Sequence, residues 1–180
     1  MANSCDNYIR ITGDKDQLKE LYKDLVLDPE SGCDSGSDIY ANLRNKYQKE
    51  LGNDARWFDM CVSFYNEEEI IINGDSAWCP CLEIFTAISE KFTGLHIRYD
   101  YSEMGCDFSG WAEIEDGGCD DNCFEYWKGI VIREGEKEAL CMVIENELSC
   151  YESEEELIES DMYLAFSEES QAEILEYYKK

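Results

Sequence analysis

The alternation of apolar and polar side chains between Trp57 and Trp111 constrains the fold of this chain more than any other feature. Two short apolar runs, residues 60–65 and 69–72, come first in this stretch. They are separated by the acidic tripeptide Asn66-Glu67-Glu68. Short apolar runs on either side of a polar turn are typical of an antiparallel hairpin, so the stretch begins with two predicted strands.

The next segment has the spacing of an amphipathic helix. Its apolar residues recur at intervals of three and four, which places them on one helical face: Leu82, Phe85, Ile88 and Phe92. Pro80 suits the beginning of a helix, and Gly94 suits its end. The sequence therefore predicts a helix after the hairpin.

The two-residue period of a strand follows this helix. Apolar and polar residues alternate from residue 95 to residue 102, in the order Leu-His-Ile-Arg-Tyr-Asp-Tyr-Ser. This alternation predicts a strand with one buried face. The stretch as a whole is predicted to run strand, strand, helix, strand.

An additional strand and helix are predicted before this stretch. Ile9 and Ile11 lie on one side of a predicted strand over residues 8–12, and Gly13 begins a turn. Apolar residues then recur at helical spacing behind Asp14, a suitable N-cap: Leu18, Leu21, Tyr22 and Leu25.

Four short motifs give the chain a resemblance to a known family. In order, they are Asn3-Ser4-Cys5-Asp6-Asn7, residues 51–59 (Leu-Gly-Asn-Asp-Ala-Arg-Trp-Phe-Asp), Ala77-Trp78-Cys79-Pro80, and residues 103–110 (Glu-Met-Gly-Cys-Asp-Phe-Ser-Gly). Over residues 1–115 the chain resembles the YubB-type ferredoxin-like domain family of plasmids and phages. The resemblance implies an α+β fold, a ferredoxin-like antiparallel sheet with helices on one face. It implies no iron–sulfur cluster and no established activity.

The segment 28–56 is interpreted as an insertion, because the first helix of a minimal ferredoxin-like unit leads directly to the second strand. Residues 28–37 are mostly turn formers and predict a loop. A second helix is predicted through Ile39, Leu43 and Tyr47 to Leu51. Insertions of this kind often carry an individual function.

The sequence after the ferredoxin-like domain is predicted to extend the sheet with C-terminal strands and short acidic helices. Alternation over residues 108–114 predicts a fifth strand, and the composition of residues 116–123 predicts a loop. Residues 126–133 and 139–145 are further strand candidates, joined across Gly135. We interpret residues 116–180 as an acidic extension packed on the same domain.

The charge of the chain is strongly negative and unevenly distributed. There are 42 Asp and Glu residues against 15 Lys and Arg, which gives a formal net charge of −27. Residues 112–180 hold 21 of the acids and only 5 of the bases. Such a field repels nucleic-acid phosphates and anionic lipid, so no direct binding to nucleic acid or membrane is expected. The predicted partners are cationic: metal ions, a basic protein, or the positively charged groove of a nucleic-acid-binding protein.

Apolar residues lie among the acids of the last third, which predicts short amphipathic helices with a packed side and not a floating tail. The acids on these helices form the predicted partner-binding surface: Glu145, Glu147, Glu152, Glu154, Glu155, Glu156, Glu159, Asp161, Glu168 and Glu169.

Catalysis and metal binding have weaker support. The single histidine, His96, falls on the polar side of a predicted strand, and no nucleophile, phosphate-loop or metalloprotease motif is present. Four thiols are candidate zinc ligands, Cys79, Cys81, Cys119 and Cys123, but neither pair has Cys-x-x-Cys spacing. The sequence therefore favours a protein without catalytic residues, bound metal or cofactor.

The ten cysteines are interpreted as reduced thiols, most of them small buried side chains. No secretory signal or membrane-spanning run is present in the sequence, so a cytoplasmic location is expected.

The leading functional hypothesis is a non-enzymatic nucleic-acid mimic. Such a protein would inhibit a basic, nucleic-acid-binding host protein such as a nuclease, in phage or plasmid counter-defence of the anti-CRISPR kind. One alternative is a structural or regulatory protein-binding module whose acidity serves only solubility. A carboxylate enzyme using a divalent ion is a third alternative.

Overall fold

The computed structural model describes residues 3–26, 39, 43 and 58–179 of the chain. A six-stranded antiparallel sheet lies at the centre of the fold. Its strands are β1 (Ser4–Gly13), β2 (Phe58–Tyr65), β3 (Glu69–Ala77), β4 (Leu95–Glu103), β5 (Phe108–Glu115) and β6 (Gly118–Phe124). The spatial order is β2-β3-β1-β4-β5-β6.

Helices alternate with the first strands and then dominate the rest of the chain. They are α1 (Lys15–Leu25), α2 (Leu82–Lys91), α3 (Tyr126–Glu134), α4 (Glu136–Met142), α5 (Glu154–Glu159), α6 (Asp161–Leu164) and α7 (Glu168–Tyr178). Short 3₁₀ turns cover Met104–Cys106 and Leu148–Cys150, and a π-helical turn covers Val143–Glu147.

The first six of these elements have ferredoxin-like topology. In chain order they are β1, α1, β2, β3, α2 and β4, and the spatial order of their strands is β2-β3-β1-β4. Strands β5 and β6 extend the sheet beyond β4. The predicted α+β fold class is therefore confirmed.

Alternation along β1 separates a buried face of the sheet from an exposed one. Cys5, Asn7, Ile9 and Ile11 are buried, whereas the residues between them are exposed. The buried side lies under α1 and α2, which contribute apolar residues to the same core: Leu18, Leu21, Leu25, Ile84, Phe85 and Ile88.

Hydrogen bonds from side chains to nearby backbone stabilise the start of α1 and the turn of the β2–β3 hairpin, two elements that the sequence predicted. The carboxylate of Asp14 caps α1 by accepting the N–H groups of Asp16 and Gln17 at 3.1 and 3.0 Å. In the hairpin turn, Asn66 Oδ1 accepts the N–H groups of Glu68 and Glu69 at 2.7 and 2.8 Å. Both side chains bond to nearby backbone, so these elements are specified locally.

Strand β3 continues to Ala77, past the predicted end at Ile72. Gly74 permits this continuation, since its φ is +147° and a Cβ there would lie 2.1 Å from the carbonyl oxygen of Asp59. The glycine therefore lets β2 and β3 approach closely in the middle of their pairing.

Most of the predicted insertion, residues 28–56, lies outside the described residues. Ile39 and Leu43 are described, and both are helical and fully buried. The rest of the predicted helix, with Tyr47 and Leu51, and the predicted loop over residues 28–37 also lie outside them.

Three predictions after residue 115 were wrong. Residues 118–124 form β6, although their composition predicted a loop. The two candidate strands over residues 126–133 and 139–145 are α3, and α4 with the π-helical turn. Gly129 lets α3 approach Ser109 closely, because a Cβ there would lie 2.1 Å from Ser109 Oγ.

The chain divides into two compact units. The first comprises residues 1–106 and 111–122, and the second comprises residues 107–110 and 123–180. The second unit has its own apolar core, formed by Ile130, Ala139, Leu140, Val143, Leu157, Met162, Tyr163, Phe166 and Ile174. Among the described residues, no helix has both the length and the apolar character required to span a bilayer.

Candidate functional site

A serine N-cap precedes each of the last three helices of the second unit. The hydroxyl oxygens of Ser153, Ser160 and Ser167 accept backbone N–H groups at the starts of α5, α6 and α7. The donors are Glu156, Tyr163 and Ser170, at 3.1, 3.2 and 3.4 Å. Acids occupy the first turn of each helix, where the helix dipole favours negative charge.

Packing fixes these helices in place. Helix α5 has six residues and α6 has four, which is too short for an isolated helix to be stable. Leu157, Met162 and Ile174 anchor α5, α6 and α7 in the apolar core. The acidic segment therefore consists of short amphipathic helices with a packed side, as the sequence predicted.

Most of the predicted partner-binding acids project into solvent from this scaffold. Glu147 and Glu154 are half-buried, and the other eight are exposed: Glu145, Glu152, Glu155, Glu156, Glu159, Asp161, Glu168 and Glu169. All ten lie in one unit, between the π-helical turn and the first turn of α7. We call this set the acidic helix surface.

Some acids of the second unit also stabilise it locally. Glu154 pairs with Lys179 at 2.8 Å, and Glu156 Oε2 accepts the N–H of Glu152 at 2.9 Å. Glu136 Oε1 accepts the N–H of Ser167 at 2.8 Å, and hydrogen bonds from Ser167 lower the pKa of this carboxyl. Substitutions that probe partner binding should therefore avoid these three carboxylates.

Exposed apolar side chains interrupt the acidic helix surface. Leu164 on α6 is 61% exposed, and Ile158 on α5 is 38% exposed. Leu164 also lines a cavity of about 310 Å³ together with Trp127 and Lys128. An apolar side chain surrounded by charge is a suitable anchor for a protein partner, whereas acidity that serves only solubility does not require one.

His96 lies on the exposed side of β4, as predicted. Its Nε2 lies 3.1 Å from Glu113 Oε2, and the same carboxylate pairs with Arg98. The Arg98 guanidinium lies 5.0 Å from the centre of the Trp111 ring. Burial opposes the charge of Arg98, but hydrogen bonds to Asp100 and Glu113 raise its pKa overall. This arrangement is a cross-strand ion-pair network.

The cysteines are less buried than the sequence suggested. Nine of the ten lie in the described part of the chain, and all nine are free thiols. Of these nine, only Cys5 and Cys81 are buried, so the interpretation of most cysteines as buried residues was wrong. Cys119 and Cys123 are exposed residues of β6 and do not contribute to the buried core.

The four candidate zinc ligands are not assembled into a site. Cys79 and Cys81 flank Pro80 at the beginning of α2, whereas Cys119 and Cys123 lie on β6. Within residues 3–26, 39, 43 and 58–179, no group of three or more His, Cys, Asp or Glu side chains is arranged to hold a metal ion.

A buried polar network holds the turn before α2. The hydroxyl of Tyr99 donates to Asn7 Oδ1 at 2.8 Å and accepts the N–H of Cys81 at 3.1 Å. Asn7 Nδ2 donates to Ser76 Oγ at 3.0 Å. Burial raises the pKa of the nearby Cys5 to about 12, so this thiol remains protonated and is a poor nucleophile. The network is structural.

The exposed face of the sheet carries a row of acids that the sequence-based interpretation missed. Asp59 is directly opposite Asp75 in the β2–β3 pairing, and Asp75 is directly opposite Asp6 in the β3–β1 pairing. Only strand register brings these residues together. The alternation within each strand indicates which residues face solvent, but it does not indicate which residues of different strands become neighbours.

Comparison with known families matches residues 57–162 to the ferredoxin-like domain in Api92-like protein. The chain belongs to this family. The match begins just before β2 and ends within α6, so it includes the second half of the ferredoxin-like topology and much of the helical unit. A ferredoxin-like domain was therefore correctly inferred from the motifs. Neither the curated proteins nor the solved structures yielded a match.

Proposed function

We propose that this protein is a non-enzymatic inhibitor that occupies the nucleic-acid groove of a basic host protein. The observation that carries the proposal is the acidic helix surface, which has eight exposed carboxylates, six of them on the capped and packed helices α5, α6 and α7. A counter-defence protein acting on a CRISPR nuclease or a restriction system is the kind of inhibitor we have in mind.

Rigid presentation is what makes such a surface suitable for mimicry. Duplex DNA carries one negative charge per about 1.7 Å of its axis, and a basic groove is lined to match that density. Carboxylates held on a folded scaffold can occupy such a groove without the ordering entropy that a disordered acidic tail loses on binding. The core beneath α5 to α7 supports this step of the proposal.

The exposed apolar residues of the acidic helix surface are expected to make the short-range contacts with the partner protein. Long-range attraction between unlike charges speeds association, but short-range contacts are needed to discriminate among basic proteins. Leu164 and Ile158 are positioned among the acids to make such contacts. They favour a protein partner over simple polycations.

The proposal includes a finer attribution, to the YubB-type domains of plasmids and phages, which rests on the four short motifs. Mobile elements benefit from inhibiting the nucleases of their hosts. The protein would then act in the cytoplasm, where those nucleases encounter invading DNA.

Competition assays test the proposal directly. Purified CRISPR nucleases with guide RNA, and restriction endonucleases, would be incubated with labelled duplex DNA and increasing amounts of this protein. We expect DNA binding by at least one of them to be displaced, with an inhibitor affinity that falls steeply as salt rises. The absence of any displacement at low ionic strength would reject the proposal.

A matched pair of variants assigns the inhibition to the acidic helix surface. One variant replaces four exposed acids of that surface with glutamine, at Glu145, Glu152, Glu155 and Glu159. The control replaces four exposed acids of the first unit, at Glu67, Glu68, Glu83 and Glu90. Both variants have the same net charge, but only the first should lose inhibition, by about tenfold or more. Equal inhibition by the two variants would favour a binding module whose acidity serves solubility.

A further inference from the structure

A cavity of about 310 Å³ lies between helices α3 and α6 of the second unit. Pockets that hold ligands begin at about 300 Å³ and combine apolar walls with a few polar groups. The cavity has this composition, with three apolar and three charged residues in its lining: Glu125, Trp127, Lys128, Asp161, Leu164 and Ala165. A suitable occupant therefore has both a charged group and an apolar part.

The core of the second unit determines which side chains of α6 line the cavity. Met162 and Tyr163 are buried in that core. Asp161 and Leu164 are three residues apart, so they share the other side of the helix. Leu164 is the most exposed large apolar side chain in the described part of the chain. An exposed apolar side chain beside a cavity gives a partner a place to bury surface.

Hydrogen bonds hold both walls of the cavity in place. Gln171 Nε2 donates to the carbonyl oxygens of Tyr163 and Phe166 at 3.2 and 2.9 Å, which fixes the backbone at the end of α6. On the other wall, Ser109 Oγ donates to the carbonyl oxygen of Tyr126 at 2.6 Å, at the start of α3. Because both walls are already ordered, an occupant loses little affinity to rearrangement of the protein.

The charged side chains of the cavity are available to a ligand. Glu125, Lys128 and Asp161 form no ion pair with any residue that the structure describes, whereas other charges of the second unit do. Two of the three are acids, so their net charge favours a cation. Lys128 is exposed, and its flexible stem allows the ammonium group to move away from an incoming cation.

The Trp127 ring makes arginine a better occupant than lysine. The ring is half-buried and is held edge-to-face against the Tyr126 ring, with 5.4 Å between the ring centres. A planar guanidinium group stacks on an indole ring and still directs N–H groups towards carboxylates. The apolar stem of the same side chain can contact Leu164 and Ala165. One arginine thus satisfies both halves of the lining.

We propose that this cavity receives an arginine side chain of a basic partner protein, whose guanidinium group pairs with Glu125 and Asp161 beside the Trp127 ring. The identity of the partner as a nucleic-acid-binding protein rests on the proposed function, whereas the chemistry of the cavity does not. Arginine is common where proteins bind nucleic acid, so such a groove can supply this side chain. Asp161 also belongs to the acidic helix surface, so the cavity and that surface can engage one partner.

Titration of the isotope-labelled full chain with short capped peptides tests this proposal. The probe is Gly-Arg-Gly, and the matched probes are Gly-citrulline-Gly, which keeps the shape without the charge, and Gly-Leu-Gly, which is only apolar. We expect the arginine peptide alone to shift the Trp127 indole N–H and the Ala165 amide signals at low ionic strength. Equal shifts from the citrulline peptide, or tighter binding of the leucine peptide, would overturn the proposal.

Two double variants locate the binding. Glu125→Gln with Asp161→Asn removes both carboxylates of the cavity and should weaken the affinity for the arginine peptide about fivefold, because two partly exposed ion pairs are lost. Glu145→Gln with Glu159→Gln is the control, since it removes the same charge from exposed positions of the second unit outside the cavity. An equal loss of affinity in the two double variants would mean diffuse attraction and would overturn the proposal.

Lys128→Gln should have the opposite effect. Removing this like charge should strengthen binding of the arginine peptide about twofold, a gain that a misfolded variant would not show. Weaker binding of the arginine peptide by Lys128→Gln would contradict repulsion between Lys128 and the bound cation, and would overturn the proposal.

The DNA-displacement assay separates this proposal from the proposed function. Binding of the arginine peptide at the cavity, without displacement of DNA from any nuclease, would support the arginine site and reject inhibition. Displacement of DNA without binding of the peptide at the cavity would support inhibition and overturn the arginine site.

Discussion

Asp6 is a residue whose charge lowers the stability of the folded chain, because strand pairing places it beside another acid. Its carboxylate is opposite Asp75, and like charges in directly opposite positions cost about 0.5 kcal/mol. Asp6→Asn should therefore stabilise the protein at neutral pH and raise its melting temperature by about 1–2 °C. Differential scanning calorimetry would measure the change.

The pH dependence of this effect has a definite sign. Because the pKa of Asp6 is raised in the folded protein, the folded state binds this proton more tightly than the unfolded state. The wild type therefore recovers the lost stability as pH falls through the raised pKa, and the advantage of Asp6→Asn should shrink there. The control is Asp100→Asn, which breaks the ion pair with Arg98 and should lower stability at neutral pH. A destabilised Asp6→Asn would contradict this account.

Tyr99 is the residue on which the buried polar network depends. Its hydroxyl is fully buried and bonds to both Asn7 and the N–H of Cys81. Tyr99→Phe should lower the free energy of unfolding by about 1–3 kcal/mol, since it removes two buried hydrogen bonds, to Asn7 Oδ1 and from the N–H of Cys81. Urea unfolding would measure the loss. Tyr8→Phe removes a hydroxyl from an exposed ring and should change stability by less than about 0.5 kcal/mol, and similar losses in both would refute the role of burial.

At the scale of elements, the serine caps should control the order of the acidic helix surface. Ser153→Ala and Ser160→Ala each remove the acceptor that begins a helix of six residues or fewer, at a cost of about 1 kcal/mol per cap. Amide hydrogen exchange in α5 and α6 should become faster in both variants. Ser153→Asp keeps an acceptor and should retain protection, so equally fast exchange in Ser153→Asp and Ser153→Ala would show that the cap is unimportant.

The elements also show why sequence predicted the first unit better than the second. Asp14 caps α1 and Asn66 forms the hairpin turn, each by accepting hydrogen bonds from backbone N–H groups a few residues away. These boundaries could therefore be predicted from the local sequence. The β-branched run Ile130-Val131-Ile132 suggested a strand, but contacts with the core of the second unit outweigh that preference and produce α3. Core packing of this kind is not visible in a local pattern.

Strand β6 illustrates a different limit. Its sequence, Gly-Cys-Asp-Asp-Asn-Cys-Phe, has the composition of a loop, yet it pairs along the edge of the sheet. An edge strand bonds to one neighbour only, and exposed acids such as Asp120 protect it from pairing with other chains. The short acidic helices with a packed side could be predicted because helical spacing is local, whereas the alignment of Asp59, Asp75 and Asp6 depends on register between distant segments.

For the whole molecule, the charge of −27 should make stability sensitive to salt. Self-repulsion among acids weakens the compact state, and added ions screen it. The Debye length falls from about 30 Å at 0.01 M salt to about 3 Å at 1 M, so the melting temperature should rise across this range of sodium chloride. Thermal unfolding followed by circular dichroism would measure this rise.

The two sets of charge variants show where the repulsion originates. The variant with glutamine at Glu145, Glu152, Glu155 and Glu159 relieves a segment that contains few bases, whereas the control at Glu67, Glu68, Glu83 and Glu90 relieves the more balanced first unit. If repulsion is concentrated in the acidic helices, the first variant should show the smaller dependence of melting temperature on salt. A melting temperature that is independent of salt in the wild type would mean that the fold has already neutralised its charge internally, and little of that charge would remain to attract a basic partner.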